Sequence, residues 1–77
     1  MSAEYFIRRQ DKLRTVLAEK NVDGMLITNM IHIKYLCGFG GSSGSLLVGL
    51  DNSEFITDGR YVVQSKNEVR GANITID

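Results

Sequence analysis

The sequence predicts an α/β layer fold, one mixed β-sheet flanked by helices, and three observations predict it. Residues 2–20 carry apolar side chains at spacings of three, four and seven, the mark of a helix with one buried face. Two apolar runs, 45–50 and 54–58, are separated by Asp51-Asn52-Ser53, a connection of turn formers so short that it forces an antiparallel hairpin. Two further short apolar runs, 23–28 and 73–77, alternate with helical stretches and supply more strands. The expected order is helix, strand, helix, hairpin, helix, strand.

In the first helix, Phe6, Leu13, Val16, Leu17 and Lys20 fall along one face. Ser2 suits the N-cap, and Glu4 precedes Arg8 by four residues, the favourable order for a helical ion pair. Asn21 can take the left-handed conformation that stops the helix. The basic residues Arg8, Arg9, Lys12 and Arg14 read as a solvated face. The run 23–28 shows no alternation, which suits a strand covered on both sides, as in a parallel sheet. Asn29 is a good N-cap for a short helix over 30–37, and Gly38 is its natural stop. After the hairpin, 61–70 reads as a helix with Tyr61, Gln64, Ser65 and Glu68 on one side and Gly71 as its end. Residues 73–77 alternate as a half-buried strand.

Seventy-seven residues make at most one small domain, which buries only roughly 60% of its unfolded surface. Cys37 is the only cysteine, so no intrachain disulfide is possible, and among apolar neighbours it reads as a small core residue. Nine basic and nine acidic residues cancel, which argues against a nucleic-acid partner, since nucleic-acid binders carry a basic excess or stripe. No apolar run approaches the roughly 20 residues that span a bilayer, so no membrane partner is expected. The first residues lack the basic-then-apolar order of a secretory signal, and the expected location is cytoplasmic.

The glycine-serine stretch 38–44 invites two chemical readings. Gly38, Gly40, Gly41 and Gly44 hint at a dinucleotide-binding turn, and Gly40-Gly41-Ser42-Ser43-Gly44 fits the spacing of a nucleophile elbow. Both motifs need a strand before the turn and a helix after it, whereas here a helix leads into a strand. A serine nucleophile would also need a base, and His32 is the only histidine. The plain reading is a tightly bent loop with Phe39 plugged into the core. His32, between Ile31 and Ile33, reads as a surface or interface residue rather than a metal ligand. The acids are scattered over turns and helix surfaces and give no metal site. Asp58-Gly59-Arg60-Tyr61 is the most pointed polar group. Asp58 can cap the helix that follows, and Arg60, at a strand end, could present its guanidinium fork to a carboxylate.

Four segments together resemble a known family: Asp23-Gly24-Met25-Leu26-Ile27-Thr28-Asn29, Ile33-Lys34-Tyr35-Leu36-Cys37-Gly38-Phe39, Gly41-Ser42-Ser43-Gly44 and Phe55-Ile56-Thr57-Asp58-Gly59-Arg60-Tyr61. They resemble the amino-terminal domain of Xaa-Pro aminopeptidases and Xaa-Pro dipeptidases (prolidases), relatives of creatinase. The resemblance covers nearly the whole chain. One departure is the segment Asn29-Met30-Ile31-His32-Ile33, where the family often carries Asp-Pro-Xaa-Asn-Ile, and this changes how the short helix is capped.

The resemblance implies a ribonuclease H-like mixed sheet, present as a truncated single domain over 1–77, with the catalytic "pita-bread" domain absent. It implies a parent metallopeptidase cleaving before proline with two divalent metal ions, usually manganese, none held by this chain. This region would then be non-catalytic, serving homodimer assembly and access of a proline-containing peptide. Its partners would be its own catalytic domain and a second subunit. On that reading Arg60, Tyr61, Phe39, Ser42 and Ser43 are the candidates for substrate or interface contact, with His32 a further one. The alternative is a stand-alone binding module of the same fold without peptidase activity.

Overall fold

A computed structural model describes residues 3–77. The element order is α1 (Ala3–Glu19), β1 (Gly24–Ile27), α2 (Met30–Cys37), β2 (Ser45–Gly49), β3 (Ser53–Thr57), a single 3-10 turn (Gly59–Tyr61), α3 (Val62–Glu68) and β4 (Asn73–Ile76). The expected order therefore holds, and the fold is α/β with a four-stranded mixed sheet. The proposed N-cap Ser2 lies outside the described residues.

The strands lie in the order β1-β2-β3-β4, with β1, β2 and β3 antiparallel and β4 parallel to β3. The short turn after Gly49 dictates the hairpin, whereas the parallel β3–β4 pair requires the crossover through α3. Alternation fixes the faces: Leu46, Val48, Ser53, Phe55 and Thr57 are buried, while Leu47 between them is exposed. The buried set joins Leu17 of α1, Ile33 and Leu36 of α2 and Val69 beyond α3 in one core, so the helices cover a single face of the sheet.

That layering corrects one expectation. Strand β1 is not covered on both sides: it pairs antiparallel at the sheet edge, with Met25 47% and Leu26 59% exposed. Only Ile27 of this four-residue edge strand reaches the core, so its apolar run marks one covered face rather than two.

Helix α1 also departs from the expected face. Phe6 and Leu17 are buried, but Val16 and Lys20 are exposed and the third buried residue is Gln10. Its side-chain amide donates to the carbonyls of Leu36 (2.9 Å) and Arg70 (3.1 Å) and accepts from Ser53 Oγ (2.7 Å). Arg14 does not belong to a solvated face either, since its side chain is 14% exposed and donates to Gly49 O and Ser53 Oγ. The Glu4–Arg8 pair forms at 2.7 Å, and Asn21 adopts the left-handed φ of 57°.

Helix α2 begins and ends as the sequence indicates. Asn29 Oδ1 accepts from the N–H groups of Ile31 and His32, and Gly38 closes the helix at φ 90°. A side chain at Gly38 would be strained in φ and would sit 2.7 Å from the Glu68 carbonyl oxygen. Helix α3 is shorter than expected. It starts after a 3-10 turn and ends at Glu68, with Val69 already extended; Gly71, at φ 77°, turns the chain toward β4 instead. Val69 is buried in the core, and the apolar contact pulls the backbone out of the helix two residues early.

Candidate functional site

The loop after α2 and the turn after β3 emerge at the same end of the sheet. Ser45 at the start of β2 lies opposite Ile56 near the end of β3, so the antiparallel register brings loop 38–44 beside turn 58–61. Sheets with helical crossovers place ligand contacts at such carboxyl ends of strands.

Phe39 anchors the arrangement. It is fully buried, its ring 4.6 Å from the Phe55 centroid, and the Tyr61 ring meets it edge-on at 5.3 Å. Any Cβ on Gly41 would strike the Phe39 ring, so glycine is what lets the loop pass over this plug. The Tyr61 hydroxyl hydrogen-bonds Ser42 Oγ at 2.5 Å and accepts from the Ser42 N–H at 3.4 Å. Thr57 Oγ1 donates to the Ser43 carbonyl at 2.8 Å. Glu68 accepts from the Gly40 N–H at 2.8 Å and from Gln64 at 3.1 Å. Three separate ties therefore hold a glycine-rich loop in one shape.

At the edge of this cluster, Asp58 caps the 3-10 turn through the Arg60 N–H (3.0 Å) and receives two bonds from its guanidinium: Nε to Oδ1 at 2.9 Å and an Nη to Oδ2 at 2.8 Å. The cap is as expected. Asp58 takes the Nε–H and one Nη–H of Arg60, and the other three N–H donors of the guanidinium make no hydrogen bond among the described residues. The Arg60 side chain is 66% exposed and lies 5.1 Å over the Tyr61 ring.

The electrostatics follow these bonds. The Arg60 side chain, then its N–H, hold the Asp58 carboxyl below its ordinary value, and Asp58 in turn raises Arg60. The hydrogen bonds from Ser42 lower the Tyr61 phenol. The Gly40 N–H, then Gln64, lower Glu68. Burial raises the Cys37 thiol, which stays protonated and inert in the core.

Phe39, Ser42, Ser43 and Tyr61 thus come together, with Arg60 at their margin. His32 does not join them. It is exposed on α2 and lines a separate hollow with Arg9, Leu13, Met25 and Tyr35. Ser42 finds a tyrosine rather than a histidine as its partner, so the nucleophile reading has no support. Glu68 was not among the expected site residues, although it shares a helix side with Tyr61 and Gln64 and ties the same loop. Among the described residues no group of three or more His, Cys, Asp or Glu could hold a metal ion, so these side chains do not fit a metal pair.

Comparison with known proteins places this geometry. The model of the creatinase/prolidase N-terminal domain matches residues 9–76. The uncharacterized peptidase YqhT of Bacillus subtilis is 42% identical over 64 residues, which cover 83% of this chain and 18% of that protein. The N-terminal domain of the cytoplasmic peptidase PepQ of Mycobacterium tuberculosis superposes with a TM-score of 0.86 at 39% identity, covering 91% of this chain and 55% of that one. An Xaa-Pro aminopeptidase of Streptococcus pyogenes gives a TM-score of 0.90 at 28% identity, covering 99% of this chain and 59% of that one. The chain spans less than a fifth of the curated relative's length. A family-model match over residues 9–76, which takes in all four strands, establishes that the chain belongs to the creatinase/prolidase N-terminal domain family.

Proposed function

We propose that this chain is the non-catalytic front part of a metal-dependent Xaa-Pro peptidase, in which it packs on a catalytic domain and on a second subunit. The divalent metal ions, manganese by family resemblance, would be held by that catalytic domain, where they would supply an activated water for cleavage before proline. This chain's own residues would shape the approach of the peptide. The location that fits the reading is the cytoplasm, the compartment of the similar peptidase PepQ.

The observation that carries the proposal is the three-fold tie of loop 40–43 to Thr57 at the end of β3, to Tyr61 in the turn and to Glu68 of α3. A surface loop rich in glycine has much conformational freedom to lose, and fixing it in advance lowers the cost of contacting a peptide or a neighbouring subunit. The polar groups it presents suit a peptide: the Arg60 N–H donors that Asp58 does not take, for a carbonyl or carboxylate, and the Tyr61–Ser42 hydroxyl pair. The uncovered sheet face, with Leu26 and Leu47 exposed, supports a packing surface for the rest of the enzyme.

The test is Arg60→Ala in the full-length enzyme. The expected result is lower kcat/KM for an Xaa-Pro peptide, or a lower oligomer mass, with unchanged metal content. Unchanged kinetics and unchanged mass would reduce Arg60 to an ordinary surface residue and sink the reading.

A further inference from the structure

A second surface lies away from that turn, on the seam between α1 and α2. Three adjoining hollows, of about 440, 300 and 320 Å³, all share Arg9 and Tyr35 in their walls. Large apolar side chains stand open around them: Ile31 is 79% exposed, and Tyr5 and Tyr35 are 57% exposed. Monomer surfaces scatter such residues singly, and a cluster beside connected hollows marks a contact surface.

The polar groups of the seam carry one sign. Arg9 donates to the Tyr35 carbonyl at 2.8 Å and lies 4.1 Å over the Tyr35 ring, with Tyr5 and Phe6 at 5.2 and 5.4 Å. Its guanidinium is held flat, and among the described residues its one hydrogen bond leaves most of its five N–H donors unused. Lys12 and Lys34 form no ion pair among the described residues, while Arg8 is occupied by Glu4. Glu68 feels the charge of Lys34 but spends its carboxylate on Gly40 and Gln64.

We propose that the α1–α2 seam docks an acidic protein segment that carries apolar anchor side chains. Charge complementarity selects this occupant. A second copy using the same face would oppose cations to cations. A nucleic acid would draw its affinity from many phosphate contacts, whereas this seam offers few cations and walls built from Phe6, Ile27, Ile31 and Leu36. An apolar side chain fills the hollows, and flanking carboxylates meet the preset Arg9 and the two lysines.

The test is a backbone-amide NMR titration of the 77-residue chain with a dodecapeptide alternating glutamate with leucine and phenylalanine. Shifts should be confined to residues of the seam. The glutamine version of the peptide should bind about tenfold more weakly, and so should the Lys12→Glu/Lys34→Glu protein. Neither lysine side chain makes a hydrogen bond or ion pair among the described residues, so the variant should keep its spectrum dispersion. Ile31→Ser should weaken binding while leaving the fold intact, since Ile31 is almost fully exposed. The proposal is overturned by absent shifts, by equal binding of the glutamine peptide or by indifference to the lysine changes. Comparable shifts with dodecathymidylate would replace it by a nucleic-acid site, and shifts of Ile31, Lys34 and Tyr35 on concentrating the protein alone would replace it by self-association through this face.

Discussion

Replacing Gln10 with leucine tests the reasoning about the core most sharply, because the two side chains are close in volume and only the hydrogen bonds change. The amide joins α1 to the end of α2, to the turn before β4 and to β3, through Leu36 O, Arg70 O and Ser53 Oγ. Gln10 is fully buried, so water cannot take its place. The carbonyls of Leu36 and Arg70 and the Ser53 hydroxyl would each lose a partner, at about 1 kcal/mol or more apiece. The expected loss is therefore about 3 kcal/mol. A domain of 77 residues holds about 4–12 kcal/mol in total. At roughly 4–8 °C per kcal/mol the melting temperature should fall by roughly 12–24 °C. Urea denaturation and thermal melting, both followed by far-UV circular dichroism, measure it. Val16→Gln on the exposed side of the same helix is the control and should stay within about 0.5 kcal/mol. Should Gln10→Leu match the control, the polar tie would contribute nothing net and the account of α1 would be wrong.

Other expectations concern the loop and the titrating groups. Tyr61→Phe removes the hydroxyl bonded to Ser42 but keeps the ring on Phe39, so amide hydrogen exchange should quicken at residues 41–43 and stay unchanged in β2; uniform protection would show that the tie is idle. Asp58 and Glu68 both have folded values below their unfolded ones, so their stabilisation is complete above the ordinary carboxylate range and is lost as pH falls through the folded values. Asp58→Asn/Glu68→Gln should accordingly flatten the acid limb of a plot of melting temperature against pH, and an unaltered limb would discount both bonds. Cys37, buried and raised, should react with a thiol reagent only as fast as the protein opens; rapid labelling of the native chain would contradict its burial.

Much of this was legible in residue types whose conformational demands are local. Asn29, Gly38, Asn21 and Asp58 announce their caps and stops because each acts on backbone within a few positions. The hairpin followed from the length of one loop. Gln10 was illegible because its partners lie 26, 43 and 60 residues away, and periodicity treats glutamine as a surface residue. The same holds for Arg14, whose partners Gly49 and Ser53 belong to the far hairpin. At the candidate site, the sequence singled out both the loop and the turn but not that Tyr61 and Ser42 bond, since that contact depends on strand register. Nor did it reveal that Asp58 pairs with the Arg60 guanidinium, although the two residues are neighbours. From sequence, Asp58 serves the cap and Arg60 faces an outside carboxylate; in the structure the one Asp58 carboxylate serves both as cap and as partner of Arg60.

The position of β1 has a practical consequence for anyone handling the domain. Natural sheets shield an outer strand with a lysine, a proline, a bulge or a covering segment, and Gly24-Met25-Leu26-Ile27 carries neither charge nor proline. Its outer row of amide and carbonyl groups is a template on which another chain can add a strand. Isolated copies should therefore stick edge to edge as concentration rises, and Leu26→Lys should delay that without touching the core, as light scattering against concentration would reveal. If scattering is the same with and without the lysine, association runs through another surface.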